Sequence, residues 1–267
     1  MIVPSSSRKI QKRFSAAAPE YARSATVQSS VARELAARIS LRPGEKVLDV
    51  GCGTLILSEF LLGQGIPVDI FAVDAAEGMV REARSRSLAT SCLVADGCRL
   101  PFQSAFFDLV ASSSSYQWLG DLAAGFKEAV RVLKPGGMFK AALFGRQTLW
   151  ELFDSLKEAG VALGRRDLVP VGRLPSQVDV LSAMDQAGFF RHSVEVQMRE
   201  VVFDDLLSLL RWLKATGTNG LGPYYFGRQL FQEAARYYAE QYGLNSGIKA
   251  TFEVIWIEGE KDRSFIS

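Results

Sequence analysis

"VLDVGCGTLILSEF", from Val47 to Phe60, sets apolar residues around an acid, then two glycines one residue apart, then apolar residues at helical spacing. A strand handing over to a helix needs one glycine for the turn. Two glycines and an acid at that junction mean that something lies against the backbone there. Gly51 and Gly53 leave no Cβ in the way, and the helix that follows offers free N–H groups at its start.

The same alternation continues along the chain. "VDIFAVD" (Val68 to Asp74) reads as a second strand ending on an acid, and "AEGMVREARSRS" (Ala76 to Ser87) as a helix with Met79, Val80 and Ala83 on one face. "SCLVAD" (Ser91 to Asp96) is a third strand, again ending on an acid, and "FFDLVASSSS" (Phe106 to Ser115) a fourth. "LAAGFKEAVRVL" (Leu122 to Leu133) is a helix stopped by "KPGG", and "GMFKAALF" (Gly137 to Phe144) a fifth strand. Strands alternating with helices mean crossover units and a parallel sheet, with ligands beyond the carboxyl ends of the strands. The fold class is α/β, a Rossmann-like arrangement. Asp49, Asp74 and Asp96 converge on that edge with the glycines.

Other segments fall outside the alternating core. Residues 1–40 read as a helical arm, with "VARELAARI" (Val31 to Ile39) amphipathic, ahead of a core over 41–203. "SVEVQMREVVF" (Ser193 to Phe203) alternates like a strand. "DDLLSLLRWLKATG" (Asp204 to Gly217) is a helix capped by Asp204 or Asp205, and "GRQLFQEAARYYAEQYG" (Gly227 to Gly243) another. These two helices (204–247) are expected to form a lid, with Trp212 and Phe226 in its interior, before a closing strand and tail (248–267) that includes "ATFEVIWIEGE" (Ala250 to Glu260).

Composition narrows the chemistry. At 267 residues and 48% apolar content the chain can bury a large core, and a net charge of +2 carries no overall signature for nucleic acid or membrane. Cys52, Cys92 and Cys98 form no CxxC pair, and His192 is the single histidine, so neither a metal site nor a histidine-based triad is expected. Unpaired thiols fit a cytoplasmic protein. "MIVPSSSRKIQKRFSAAA" has no apolar signal-peptide core and reads as the start of a helix rather than a transit peptide. No nucleic-acid partner and no membrane partner are expected, and a monomer is.

A dinucleotide would call for a third glycine, but Thr54, Leu55 and Ile56 follow Gly53. Asp49 beside the loop disfavours phosphate and suits a cation. Asp74, about 25 residues beyond Asp49, stands where an acid takes both hydroxyls of a ribose. Asp96, followed by Gly97, could accept from an adenine amino group. Each acid alone also reads as a turn cap or an ordinary loop residue. Adenine, ribose and a cationic amino-acid tail together describe S-adenosylmethionine. "VLDVGCGT", "AVDAAEGMV", "ADGCRLPF", "FDLVASS" and "LKPGG" in this order resemble the class I S-adenosylmethionine-dependent methyltransferases. That resemblance implies a seven-stranded, mostly parallel sheet. It also implies a cofactor site of Asp49, Gly51, Cys52, Gly53, Asp74, Ala75, Met79, Asp96, Gly97 and Ser113. Leu55 departs from the pattern, since a third glycine is common there.

"KRFSAAAPEYARSATVQ" (Lys12 to Gln28), "SSSSYQWLGDL" (Ser112 to Leu122), "LFGRQTLWEL" (Leu143 to Leu152), "RWLKATGTN" (Arg211 to Asn219) and "GIKATFEVIWI" (Gly247 to Ile257) extend the likeness. Together they resemble the malonyl-[acyl-carrier-protein] O-methyltransferases of biotin synthesis; Ser113 stands where that family commonly has asparagine. The resemblance implies methyl transfer to the free carboxylate of a malonyl thioester on acyl carrier protein, or on coenzyme A. A carboxylate is ionised at pH 7 and needs no general base, consistent with the lack of histidines. Tyr21, matching the family's arm tyrosine, Lys214 and Arg146 are candidate catalytic groups, with Tyr116, Gln117, Trp118 and Arg211 on the acceptor side. Lys214, Arg211 and Arg146 also read as surface charges, Tyr21 as a packing aromatic and Trp118 as a core contact. Arg165, Arg166 and Arg173 are candidates for docking an acidic carrier. Two other readings stay open: another small-molecule methyltransferase, and an S-adenosylmethionine-binding assembly factor that methylates nothing.

Overall fold

β1 (Lys46–Val50), β2 (Asp69–Asp74), β3 (Thr90–Val94), β4 (Phe107–Ser113) and β5 (Leu133–Phe144) pair in parallel in the order β3-β2-β1-β4-β5. The computed structural model describes residues 5–86, 88, 90–165, 174–218 and 227–264. β8 (Gly247–Glu260) lies antiparallel between β5 and β6 (Arg191–Phe203), and the two-residue β7 (Gly243–Leu244) pairs with the start of β8. The expected seven strands are therefore eight once this short strand is counted. The order reverses at β1, between β2 and β4, which is the switch point where ligands bind in such sheets.

The central strands are apolar almost without interruption because both faces are covered. Val47, Leu109, Ala142 and Val254 face a cluster built with α2 (Thr26–Ala37), α3 (Ile56–Leu62), α6 (Trp150–Ala162) and α8 (Leu206–Ala215). Leu48, Val110, Ala141 and Ile255 face the other way, against α5 (Leu122–Val132) and α7 (Gln177–Ala187). α6 and α7 were not anticipated from the sequence. β5 was expected to begin after "KPGG", but it starts at Leu133 and carries Lys134 to Gly137 within it. Its pairing with β4 shifts register between Phe107 and Leu109, which absorbs the extra residues as a bulge.

Asp205, and not Asp204, caps α8, accepting from the Ser208 amide at 2.7 Å. The second inserted helix, α9 (Arg228–Tyr242), packs on α6. The Tyr242 hydroxyl donates to Asp154 Oδ2 at 2.6 Å, and its ring meets Trp150 at 5.1 Å. Of the two inserted helices, α8 is the one that reaches the arm.

The arm helix α1 (Ser5–Ser24) is held between α4 (Glu77–Ser85) and α8. Pro19 lies inside α1 and has no N–H for the carbonyl four residues earlier, that of Ser15. Gly78 of α4 comes in at that carbonyl: a Cβ on Gly78 would lie 2.4 Å from the Ser15 oxygen, and the Gly78 amide donates to Ser15 Oγ at 3.1 Å. On the other side, Gly217 takes the Phe14 ring against its backbone, and Trp212 Nε1 donates to the Ser24 carbonyl at 2.8 Å. The arm thus lies over the carboxyl ends of the strands. Among the described residues no helix is long and apolar enough to cross a membrane. Phe226, Arg166 and Arg173 lie outside the described residues.

Candidate active site

The turn after β1 uses its glycines in two ways. Gly51 (φ +71°) and Gly53 (φ +52°) both adopt left-handed backbone. A Cβ on Gly51 would fall 1.7 Å from Ser115 Oγ, so the loop after β4 presses directly on this backbone. A Cβ on Gly53 would only touch Tyr21 Cε1 at 3.7 Å, because the arm tyrosine covers that residue. Leu55, in the place of a third glycine, is also left-handed, at φ +69°. That conformation costs a side chain roughly 1–2 kcal/mol. Leu55 is buried with Cys52, Ala72 and Val80, and burying a leucine contributes about 1.5–3 kcal/mol, enough to offset the strain.

The acids are not equivalent. Asp49 is 1% exposed; its Oδ2 accepts from Ser58 Oγ at 2.7 Å, while Oδ1 has no partner among the described residues. Burial, with Asp74 adding to it, raises its carboxyl to about 7 against the opposing Ser58 hydrogen bond. A cation at Oδ1 would restore the ionised form. Asp74 is held rigidly, with Oδ2 accepting from the Gly53 amide at 2.9 Å and Oδ1 from the Ala76 amide at 2.7 Å. Each oxygen keeps a second lone pair for a donor such as a hydroxyl. Burial raises the Asp74 carboxyl too, opposed by those two amides. Asp96 is exposed, and its Oδ1 accepts from the Cys98 amide at 2.9 Å. Gly97 beside it is wedged between Val50 and Leu119. This acceptor-rich edge fits a nucleoside with a cationic tail and does not fit a phosphate.

One cavity is lined by Tyr21, Gln28, Asp49, Gly51, Cys52, Gly53 and Ser113. Ala75 is half-buried, and Met79 is packed with Ala18 and Ala76 beneath the arm, beside Phe14 and Tyr21. Burial and then the charge of Asp74 push the Tyr21 hydroxyl well above its ordinary range, so it stays protonated. A second cavity is walled by Gln28, Gln117, Trp118, Phe144, Thr148 and Trp212, with Leu213 and Thr218 of the α8 end. Gln28 lines both cavities. It is 4% exposed, and neither its amide nitrogen nor its oxygen has a partner among the described residues. It went unnoticed in the sequence, where "TVQSSVAREL" reads as an ordinary helix. A buried amide without partners is the signal, and it exists only in three dimensions.

Several expected acceptor residues sit elsewhere. Tyr116 is buried against Phe126, stacked at 5.2 Å, and against Phe139 at 5.4 Å, so it belongs to the core beneath α5 and not to the cavity. The one-turn 3₁₀ helix Tyr116–Trp118 turns Tyr116 inward while Gln117 and Trp118 face the second cavity. Arg146 is exposed and paired with Asp179 at 2.8 Å. Arg211 and Lys214 are exposed on α8. None of these three cations lines either cavity. Spacing on a helix does not say which face turns inward, and here Trp212 and Leu213 take that face. Arg165 is exposed.

The description "Methyltransferase domain" matches residues 48–141. The malonyl-[acyl-carrier protein] O-methyltransferase of Geobacter sulfurreducens is 35% identical, over 95% of this chain and 98% of its own length. The biotin biosynthesis bifunctional protein BioHC of Saccharophagus degradans is 37% identical over 80% of this chain, which spans 39% of that longer protein. The arginine-hydroxylase NDUFAF5, mitochondrial, of Danio rerio is 30% identical over 80% of this chain and 68% of its own length. Among solved structures, a Bacillus halodurans protein described as a putative methyltransferase superposes with a TM-score of 0.61 at 17% identity, covering 87% of this chain and 99% of the other, a likeness of fold.

Proposed function

Because the chain belongs to the malonyl-[acyl-carrier protein] O-methyltransferase family, within the class I S-adenosylmethionine-dependent methyltransferases, we propose that it methylates the free carboxylate of a malonyl thioester on acyl carrier protein. The product is the malonyl methyl ester from which a biotin precursor chain is extended. The observation that carries this reading is the pair of adjoining cavities sharing Gln28. One is bordered by Asp49 and the glycines of the β1 turn, and the other is largely apolar, with no charged side chain among the described residues of its wall.

In this reading Asp74 grips the ribose, Asp49 faces the cationic tail, and Tyr21 with Met79 and the arm closes over them. When bound, the cofactor would supply a methyl group on a positively charged sulfur, a leaving group that departs with its electron pair. An acceptor carboxylate that is already ionised would need no group of the chain to move a proton. The chain's task is therefore alignment and exclusion of water, which can supply much of the rate, of order 7–11 kcal/mol in favourable intramolecular reactions. The arm, the Trp118 turn and α8 enclose the place where the two reactants would meet.

Arg8, Lys9 and Lys12 on α1, Arg211 and Lys214 on α8, and Arg165 are all exposed. An acidic carrier protein would be complementary to such surface cations. Complementation tests the reading: the chain should restore growth without biotin to bacteria lacking their own enzyme for this step. Failure to rescue, with soluble protein present in the cells, would reject the malonyl acceptor. The likeness to an arginine-hydroxylase supports a second reading, a different reaction on the same fold. That reading predicts no rescue.

A further inference from the structure

The second cavity poses a problem if a carboxylate enters it, as the proposed function requires and on which this inference rests. A charge taken out of water into an apolar space must be met by hydrogen bonds or an opposite charge. Among the described residues no lysine, arginine or histidine lines that cavity. The polar groups that do line it are mostly committed. Gln117 Nε2 donates to the Ser114 carbonyl at 2.9 Å, Thr148 Oγ1 exchanges hydrogen bonds with the Glu253 backbone, and Thr218 Oγ1 pairs with Thr216 Oγ1 at 2.7 Å.

Two donors remain. The Gln28 amide nitrogen and the Trp118 indole nitrogen are both buried, both belong to side chains of this wall, and neither has a partner among the described residues. An unpaired buried donor is a standing penalty on the fold, and the chain keeps two of them in one cavity. Their positions are themselves enforced. Trp118 is packed edge-on against Phe14 of the arm at 5.5 Å. Gln28 sits on α2 between Val27 and Val31, which are buried in the core.

We propose that Gln28 and Trp118 form a neutral clamp for the acceptor carboxylate, the amide N–H₂ and the indole N–H each donating one hydrogen bond. Gln28 also borders the cavity of the β1 turn, so an oxygen held by its amide lies next to the methyl donor. A neutral clamp has a chemical consequence. A guanidinium would hold the carboxylate more tightly but draw off the electron density that must attack the methyl carbon. Two uncharged donors orient the group and leave it nucleophilic. They also favour an acid over its ester, because the ester has lost the charge that strengthened both hydrogen bonds. Product release is built into the same contacts.

The test uses Gln28→Leu, Gln28→Glu and Trp118→Phe with the full chain. Calorimetry with S-adenosylhomocysteine reads the cofactor side. Calorimetry with a panel of thioester acids (malonyl-, succinyl- and glutaryl-coenzyme A) on the nucleoside-loaded protein reads the acceptor side. Gln28→Leu and Trp118→Phe should each weaken binding of the acid roughly 10- to 100-fold, the cost of one hydrogen bond to a charged group. Nucleoside affinity should stay within about threefold. Gln28→Glu should lose acid binding at pH 8 and regain part of it at pH 5.5, as the introduced carboxyl becomes a donor. A merely structural role would show no such recovery.

Unchanged acid affinity in both Gln28→Leu and Trp118→Phe overturns the clamp, as does a loss matched by equal loss of nucleoside affinity. So does a wild-type protein that binds no acid of the panel. If another acid binds in place of the malonyl thioester, the proposed substrate fails while the clamp is judged on the acid that binds.

Discussion

Replacing Asp49 by asparagine should make the ligand-free protein more stable at pH 8 and weaken its hold on the cofactor. The side chain is almost fully buried, and its carboxyl is raised from 3.8 to about 7, chiefly by burial. The raised carboxyl sets the sign. Between those two values the native state binds a proton that the unfolded chain has released, so stability falls as pH rises through the window and the loss is complete above about 7. At 1.36 kcal/mol per unit the full penalty is of order 4 kcal/mol, with about 2–3 kcal/mol of it falling between pH 5 and pH 8. Asparagine keeps an oxygen to accept from Ser58 and carries no charge, so it escapes this penalty. Urea unfolding of both proteins at pH 5 and pH 8 should show the variant's advantage growing by about 2–3 kcal/mol across that interval. The cofactor's positive charge favours ionised Asp49, so wild-type affinity for S-adenosylmethionine should rise from pH 6 to pH 8 and that of the variant should not. A stability difference independent of pH, or the same affinity profile in both proteins, would refute the assignment of Asp49 to the cationic end of the ligand.

The two glycines of the turn should respond differently to alanine. Gly51→Ala drives a Cβ onto Ser115 Oγ in a left-handed backbone and should cost about 2–4 kcal/mol by urea unfolding, whereas Gly53→Ala meets only the edge of Tyr21 and should cost about 1 kcal/mol; the reverse order would contradict the packing. Asp74→Ala removes both acceptors proposed for the ribose and strands the Gly53 and Ala76 amides, so calorimetric affinity for S-adenosylhomocysteine should fall at least tenfold. Binding within twofold of wild type would reject the ribose role. The double reversal Lys12→Glu with Lys214→Glu should raise KM for a malonyl carrier protein several-fold at low salt, less at high salt, and leave malonyl-coenzyme A turnover nearly unchanged. Equal effects on both substrates would place the carrier elsewhere.

The parallel sheet and the glycine turn were legible because local chemistry declares them: apolar strands ending in acids, with glycines where the backbone turns left-handed. Asp49 and Asp74 share that advantage, lying at strand ends whose side-chain direction follows from the pleat. The acceptor side was less legible. Tyr116 and Trp118 are two residues apart in one short turn, yet one enters the core and the other lines a cavity, a choice made by Phe126 and Phe139 rather than by the local sequence. Arg146, Arg211 and Lys214 attract attention as charges, but exposure places them outside both cavities. "KPGG" reads as a stop, and tertiary pairing with β4 carries the strand through it. Gln28 is silent in one dimension, since glutamine in a helix is unremarkable until its amide is found buried without a partner.

The most direct measurement incubates the protein with S-adenosylmethionine labelled in its methyl group and with malonyl-acyl carrier protein, then locates the label by mass spectrometry of the released acyl chain. The proposed function predicts label on the distal malonyl carboxylate as a methyl ester, with none on unacylated carrier or on a malonamic analogue lacking the acid. Label absent from the malonyl group, while the protein binds the cofactor normally, would contradict the assignment of these two cavities to methyl donor and carboxylate acceptor.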